Sequence, residues 1–259
     1  MFFVCIYKRM KTITKAVITA GGYATRWLPI SKAVPKEMLP LGNKPVIHYI
    51  LAELRAAGIT DVLILIGRGR ESLLNYLDKN YEVDDFLARA RTAGRTTVAT
   101  PTNDFADLNL YYRRVPLPQG VADCLHYAGS FVGNDPFVLA YCDDVFFDGN
   151  PTEELLADYA RYGRPCITTT TVPKKQAHQY GIVDSDGNIT EKPAHPASNL
   201  AAVGRYLLPG NFIRHLGNDM VAALNALPQK NIIITNAKRF DTGNQHGFFQ
   251  AFKYIMSQN

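Results

Sequence analysis

A short apolar run followed by a small-residue loop decides the fold of this chain: residues 15–26 have the sequence KAVITAGGYATR. Apolar runs bounded by turn residues are typical of buried strands, and Gly21-Gly22 supplies the turn. Similar runs follow at Asp61–Ile66 and Phe137–Cys142, with helical patterns between them. Because right-handed crossovers join alternating strands and helices, the strands form a mainly parallel sheet. We therefore predict an α/β fold with a Rossmann-like, mostly parallel mixed sheet flanked by helices, and ligands at the carboxyl ends of its strands.

The remaining elements follow from hydrophobic spacing and turn residues. Val46–Ala57 carries its apolar residues on one helical stripe, and Gly58 is placed to end that helix. The sequence NPTE at residues 150–153 predicts a capped helix start, and Gly163 marks the end of the same helix. The other predicted helices are Glu71–Asp78, Asp84–Thr92, Val121–Ser130 and Gln245–Met256. The other predicted strands are Thr96–Thr100, Leu110–Val115, Cys166–Val172 and a series of short strands within residues 180–208.

Length and charge set broad limits on the class of protein. The 259 residues carry 28 Lys and Arg against 23 Asp and Glu, a formal net charge of +5. With 47% hydrophobic and 20% charged residues, the composition excludes a disordered, collagen-like or coiled-coil chain. The small positive surplus fits an enzyme that handles anions and does not call for nucleic acid as a partner.

The cysteines and apolar runs indicate the cellular setting. Cys5, Cys124, Cys142 and Cys166 form no C-x-x-C pair, which argues against a zinc ribbon and favours reduced cysteines in a protein core. The apolar N-terminal stretch is too short for a signal peptide, and no apolar run is long enough to cross a membrane. We expect a cytoplasmic protein without a membrane partner.

The first glycine loop has the composition of a phosphate-binding site. The sequence has no P-loop, no G-x-G-x-x-G and no G-x-S-x-G motif, which argues against P-loop kinases, the usual dinucleotide enzymes and serine hydrolases. The small residues after Ala20 let backbone amides approach an anion, and Arg26 can bind phosphate oxygens through its guanidinium. Lys36 adds a second cation within reach. A plain Gly-Gly turn with a solvated arginine and lysine explains the same pattern equally well.

Acidic side chains stand at two further predicted strand ends. Asp143-Asp144 directly follows Phe137–Cys142, and Asp241 follows residues 237–240. Carboxylates in such positions suit Mg²⁺, which binds one or two of them together with substrate phosphates. Glu191-Lys192 places an acid beside a base, where either can bind a sugar hydroxyl or a phosphate. Taken alone, each pattern is explained equally well by a polar turn or a solvated strand end.

The order of these motifs resembles that of the nucleoside-diphosphate-sugar pyrophosphorylases, in particular bacterial members that use UTP and glucose 1-phosphate. Residues 15–41, with PKEMLP at 35–40, are similar to the opening signature of that family. Further matches follow in order, at GNDP 133–136, YGIVD 180–184, EKP 191–193, VGRY 203–206 and DTGN 241–244. The resemblance implies a nucleotide-diphospho-sugar transferase fold with a small sugar-binding β insertion. It also implies one domain over residues 11–259, with a nucleotide-binding half at about 11–145, a sugar-binding half at about 146–259 and an N-terminal extension at 1–10.

The resemblance also implies a reaction, the Mg²⁺-dependent transfer of a uridylyl group from UTP to glucose 1-phosphate. The products are UDP-glucose and pyrophosphate. A phosphate monoester is largely charged at neutral pH because its second pKa is about 6, so the attacking group needs no histidine base. Catalysis then consists of alignment and charge neutralisation.

Site residues are implied at the positions that match the family's motifs. Arg26 and Lys36 would hold the triphosphate and stabilise the departing pyrophosphate, and Lys192 would bind the sugar phosphate. The nucleotide-binding residues implied are Ala20, Gly21, Glu37 and Gly120. The sugar-binding residues implied are Gly181, Glu191 and Lys192, and the Mg²⁺ ligands implied are Asp143 and Asp241. The partners are UTP and a sugar 1-phosphate, with no nucleic acid and no membrane, and a homo-oligomer is left open.

Departures from the family pattern keep three interpretations open. Ala24 replaces the second loop glycine and is strained if the position needs a positive φ. Val115 stands where the family often has a glutamine that recognises the pyrimidine, and residues 120–123 are loosely similar to thymidylyltransferases. The favoured interpretation is UTP with glucose 1-phosphate. The others are the same reaction with another nucleotide or sugar, and a nucleotide-sugar-binding regulatory paralogue without turnover.

Overall fold

A nine-stranded sheet with helices on both faces forms the centre of the structure, a computed structural model that describes residues 12–98 and 104–258. The strands are β1 (Lys15–Ala20), β2 (Pro40–Leu41), β3 (Lys44–Pro45), β4 (Asp61–Ile66), β5 (Asn109–Arg114), β6 (Phe137–Tyr141), β7 (Asp144–Phe147), β8 (Cys166–Thr171), β9 (Gly181–Val183), β10 (Ile189–Glu191), β11 (Leu200–Leu208), β12 (Asn231–Ile234) and β13 (Lys238–Asp241). The helices are α1 (Val46–Ala56), α2 (Glu71–Leu77), α3 (Tyr81–Thr92), α4 (Val121–His126), α5 (Gly129–Val132), α6 (Pro151–Tyr162), α7 (Phe212–His215), α8 (Met220–Asn225) and α9 (Gln245–Met256).

The sheet is parallel where the glycine loop begins and antiparallel beyond it. Strands β6, β1, β4 and β5 are adjacent in that order and parallel. Strand β11 pairs antiparallel with β6, β8 and β9, so it joins the parallel part to the strands that carry Gly181 and Glu191. This arrangement confirms the mostly parallel mixed sheet predicted from the sequence.

The sheet is buried on both faces because β1 points alternate side chains to opposite sides. Ala16, Ile18 and Ala20 pack in one hydrophobic cluster, with α1, α2, α6 and α9, whereas Val17 packs in the other, with α4, α5, α7 and α8. None of the helices in the described residues is long and apolar enough to cross a membrane. Cys124, Cys142 and Cys166 are free and buried, as predicted, and Cys5 lies outside the described residues.

Local signals predicted several helix ends correctly. Asn150 accepts a hydrogen bond from the backbone amide of Glu153, and Gly163 adopts the left-handed conformation that ends α6. Helix α9 has the bounds predicted from the sequence. Both helix starts were predictable because the capping side chain accepts a hydrogen bond from the first turn of its own helix, so the signal is local in the sequence.

Other predicted elements differ from the structure. Helix α3 starts at Tyr81 instead of Asp84, because the Asn80 side chain accepts a hydrogen bond from the backbone amide of Val83 and caps an earlier turn. The predicted helix over residues 121–130 is two short helices in the structure. Between α4 and α5 the backbone amides of Tyr127 and Ala128 donate to carbonyls three residues earlier, as in a 3₁₀ turn, so the α-helical pattern is interrupted. Residues 96–98 form no strand, and residues 99 and 100 lie outside the described part of the chain. Strands β2, β3, β7 and β12 and helices α7 and α8 were not predicted.

A buried ion pair ties α1 to the end of β6. Arg205 is completely buried, and its Nε and Nη2 donate to the two carboxylate oxygens of Glu53, each at 2.8 Å. The remaining guanidinium hydrogens bind the carbonyl oxygens of Tyr141, Gly204 and Asp144 at 2.8–3.2 Å. Two of these carbonyls flank Cys142-Asp143, so Arg205 fixes the turn that carries Asp143.

Candidate active site

An open cavity of about 1190 Å³ is lined by the carboxyl ends of β8 and β12 and by β13. Of the residues singled out from the sequence, Arg26, Lys192 and Asp241 line it. The Arg26 side chain is carried by a short 3₁₀ helix at Thr25–Trp27, directly after the first glycine loop. The cavity therefore brings together residues from three separate motifs.

Asp143 and Asp241 approach each other across Gly243. A Cβ atom built on Gly243 would lie 2.6 Å from Oδ2 of Asp143 and 3.0 Å from Oδ1 of Asp241, so only glycine leaves this space free. Thr242 fixes the spacing, because its backbone amide and its hydroxyl both donate to the carbonyl oxygen of Asp143, at 2.7 and 2.9 Å. The two predicted metal-binding side chains thus face one small space.

Charge is concentrated around these two carboxylates. Lys36 Nζ lies 2.6 Å from Oδ2 of Asp143. Burial works to raise the pKa of Asp143, but the charge and hydrogen bond of Lys36 outweigh it and hold that pKa below its usual value. Burial and the negative charge of Asp144 raise the pKa of Asp241. The negative charge crowded here is a reason for a cation to bind.

The donor set fits a divalent cation such as Mg²⁺. Asp143 and Asp241 offer the hard oxygen ligands that Mg²⁺ prefers, and the free space beside Gly243 borders both. Among residues 12–98 and 104–258, no three His, Cys, Asp or Glu side chains are grouped to hold a metal by themselves. Two carboxylates would leave the other positions to water and substrate phosphates, which is the usual way in which Mg²⁺ is held.

Asp144 has a different environment from its neighbour Asp143. Its side chain is buried, accepts a hydrogen bond from the backbone amide of Gly204 at 2.7 Å, and binds Arg239 Nε at 2.7 Å. The Arg239 guanidinium in turn lies over the ring of Tyr180, 5.3 Å from its centroid. Asp144 therefore supports the cavity wall, whereas Asp143 and Asp241 border the space beside Gly243.

The first glycine loop is held on both sides. Ala24 adopts φ 51° and ψ 45°, the left-handed conformation that costs a residue with a Cβ roughly 1–2 kcal/mol, so the strain considered for this substitution is present. Trp27 Nε1 donates to the carbonyl oxygen of Thr242 at 3.2 Å, and the indole packs edge-on against Phe248. Trp27 thus connects the loop that carries Arg26 to the turn that carries Asp241. Nothing in the local sequence indicated this contact.

The three predicted sugar-binding residues lie together. Gly181 pairs with Glu191 across β9 and β10, and a Cβ on Gly181 would lie 3.2 Å from Oε2 of Glu191. Lys192 Nζ lies 3.3 Å from Oε1 of Glu191, and both side chains are about half exposed. Lys192 has a φ of 44°, and its backbone amide donates to the carbonyl oxygen of Tyr180, which also lines the cavity.

Glu37 and Gly120 are not among the residues that line the cavity. The Glu37 side chain is completely buried, with Oε1 3.3 Å from the Cys142 Sγ and Oε2 3.5 Å from Arg70 Nε. Its assignment to the nucleotide stays a prediction. Gly120 precedes α4 with φ 140°, a conformation that favours glycine, and open space surrounds it. Ala20 and Gly21 are buried at the end of β1 and offer backbone atoms only.

Fold and site together define the class of protein: an α/β enzyme whose cations and paired carboxylates, at or just beyond strand ends, suit the handling of phosphates. The chain belongs to the nucleotidyl transferase family, whose model matches residues 15–255. This agrees with the resemblance found in the sequence and makes the protein a nucleotidyltransferase enzyme.

Curated relatives are similar over most of their length. The chain is 32% identical to a UTP–glucose-1-phosphate uridylyltransferase of Staphylococcus epidermidis, covering 92% of this chain and 91% of the relative. It is 33% identical to a UTP–glucose-1-phosphate uridylyltransferase of Bacillus subtilis, covering 93% and 89%. Among solved structures, a UTP-bound UDP-glucose pyrophosphorylase (UGPase) of Acinetobacter baumannii superposes with a TM-score of 0.84 at 28% identity, covering 95% of this chain and 94% of the other. The predicted fold is thus confirmed.

Proposed function

We propose that this protein transfers a uridylyl group from UTP to glucose 1-phosphate, giving UDP-glucose and pyrophosphate. The observation that carries the proposal is the shared cavity of Arg26, Asp241 and Lys192. Arg26 follows the first glycine loop, and Lys192 lies beside the other predicted sugar-binding residues. Both line the cavity that Asp241 also lines. The names of the curated relatives and the UTP-bound structural neighbour support the same substrates.

The reaction needs the chain mainly to align and neutralise two anions. An oxygen of the sugar phosphate attacks the α-phosphorus of UTP, the bond from that phosphorus to the bridging oxygen breaks, and pyrophosphate leaves with the electron pair. We assign Lys192 to the sugar phosphate and Arg26 with Lys36 to the triphosphate, where they offset the charge that develops on the leaving group. Because the attacking oxygen is already charged, no side chain has to remove a proton.

We assign the sugar to Glu191 and Gly181, and the base to backbone groups. Glu191 can accept hydrogen bonds from sugar hydroxyls, and the absence of a side chain at Gly181 leaves room beside it. Ala20 and Gly21, through the backbone amide groups at the start of the first glycine loop, are assigned to the nucleotide, as is Gly120. Glu37 is next to Lys36 in the chain, and we assign it to the nucleotide site as a buried residue that supports Lys36.

A divalent metal is general in this family, and we propose that Mg²⁺ is used here. Asp143 and Asp241 would hold it, and the bound ion would neutralise phosphate charge as the leaving group departs. Free buried thiols fit the cytoplasmic location that we propose. Homo-oligomerisation stays a prediction.

The choice of nucleotide is the part of this proposal that most needs a test. Val115 is completely buried in the cluster that includes α4, so it offers no polar group to a base. We expect pyrophosphate release to be fastest with UTP and glucose 1-phosphate in a panel of nucleoside triphosphates and sugar 1-phosphates. A preference for dTTP or another sugar would favour the alternative substrates. Binding of UDP-glucose without pyrophosphate release from any pair would favour a regulatory protein.

A further inference from the structure

We infer that Arg70 is a positioning residue for nucleotide binding, because it sets the direction of the backbone amides in the first glycine loop. The inference rests on the assignment of that loop to the nucleotide. Arg70 precedes α2, outside the cavity of the candidate active site. Its side chain is 9% exposed, although an unpaired arginine at this position would be expected to reach solvent.

The Arg70 guanidinium donates hydrogen bonds to backbone carbonyls and lies beside the Glu37 carboxylate. Nε donates to the carbonyl oxygen of Ala20 at 3.2 Å and lies 3.5 Å from Oε2 of Glu37. Nη2 donates to the carbonyl oxygen of Gly22 at 2.7 Å, and Nη1 to the carbonyl oxygen of Arg68 at 3.3 Å. One planar group thus holds the carbonyls on both sides of Gly21.

These contacts determine where the loop amides point. The peptide bonds after Ala20 and Gly22 are trans, and in a trans peptide the carbonyl and the following N–H point in opposite directions. With both carbonyls held toward Arg70, the amides of Gly21 and Tyr23 point away from it. Backbone amides that face one way, as those of Gly21 and Tyr23 do, can bind an anionic group such as phosphate.

The backbones of the two loops pack closely against each other. A Cβ atom on Gly67 would lie only 2.6 Å from the carbonyl oxygen of Gly21, so the loop that carries Arg70 touches the nucleotide loop directly. Arg70 also balances the charge of Glu37, the neighbour of Lys36 in the chain. A disturbance at Arg70 therefore reaches Gly21 and, through Glu37, Lys36, both of which are assigned to UTP.

Arg68 provides a matched comparison. It lines the same crevice of about 430 Å³ as Arg70, but its side chain is exposed. Within the described residues, the structure records no hydrogen bond from the Arg68 guanidinium to the glycine loop. A substitution at this position removes the same charge from the same place without releasing the two carbonyls.

The test compares UTP affinity, by calorimetry, with the KM for glucose 1-phosphate in Arg70→Met, Arg70→Lys and Arg68→Met. Loss of charged hydrogen bonds predicts a roughly 10- to 100-fold weaker UTP affinity in Arg70→Met, with the KM for the sugar phosphate unchanged. Arg70→Lys should fall between the wild type and Arg70→Met, because an ammonium group lacks the planar fork. Arg68→Met should resemble the wild type.

Reduced folding alone would lower the active fraction and kcat without moving either substrate's affinity. If Arg70→Met folds poorly because Glu37 is left unpaired, the double variant Arg70→Met with Glu37→Gln removes the unpaired charge. Its UTP affinity should be weakened by a similar factor. Unchanged UTP affinity in both Arg70→Met backgrounds, or equal weakening of both substrates, would overturn the inference. If wild type binds UTP without turnover, the proposed reaction fails while the affinity comparison still decides the role of Arg70.

Discussion

Asp143→Asn and Asp241→Asn should each lower kcat by roughly 10²- to 10⁴-fold. Each substitution keeps the shape of the side chain and removes one of the two charged ligands that we assign to Mg²⁺. Asp143→Asn also removes the ion partner of Lys36, which lies 2.6 Å away. The measurement is the rate of pyrophosphate release at saturating UTP and glucose 1-phosphate, across a range of Mg²⁺ concentrations.

Asp148→Asn is the matched control for these variants. Asp148 follows β7 at the end remote from Asp144, and its exposed carboxylate binds Lys238 and Tyr254. It should leave kcat unchanged. Near-normal turnover in Asp143→Asn or Asp241→Asn would remove that residue from the metal site, provided the variant unfolds at the same temperature as the wild type.

Arg205→Met should lower the free energy of unfolding by about 3–5 kcal/mol. Glu53 would then be a buried carboxylate without its partner, and three backbone carbonyls would lose their donors. Urea unfolding followed by circular dichroism measures the change. The same variant should also lower kcat, since Arg205 fixes the turn that carries Asp143.

Two comparisons separate the buried charge from the substitution itself. Arg89→Met removes an exposed ion pair with Asp85, one helical turn away on α3, and should cost no more than about 0.5 kcal/mol. Arg205→Met combined with Glu53→Gln should recover part of the loss, because no charge is left unpaired. An Arg205→Met protein as stable as the wild type would contradict this account of the buried pair.

Sequence reasoning was accurate where the cause of a structure is local. The apolar run of β1 predicts its own burial, and Asn150 with Pro151 marks a helix start whose hydrogen bond lies within the same turn. The family motifs also brought Asp143, Asp241 and Lys192 to one region, because their strand-end positions follow from the predicted sheet. Which carboxylates coordinate a metal is still a prediction.

The environments of several site residues could not be predicted, because they depend on partners far away in the sequence. Adjacent Asp143 and Asp144 look alike in the sequence, yet Asp144 binds Arg239, which lies about a hundred residues further along the chain. Glu37, which the family resemblance assigns to the nucleotide, is buried in contact with Arg70 and Cys142, and the sequence indicated neither contact. Such pairings depend on how strands are brought together, and one sequence does not specify them.

The contact between Trp27 and Thr242 gives the protein an optical reporter. Trp27 is the only tryptophan among the 259 residues, so indole fluorescence comes from one known place. Its ring lies between the loop of Arg26 and the aromatic side chain of Phe248, and its N–H is bonded to the turn beside Asp241. Emission from the native protein therefore monitors the junction of the nucleotide loop and the acidic turn, without any attached dye.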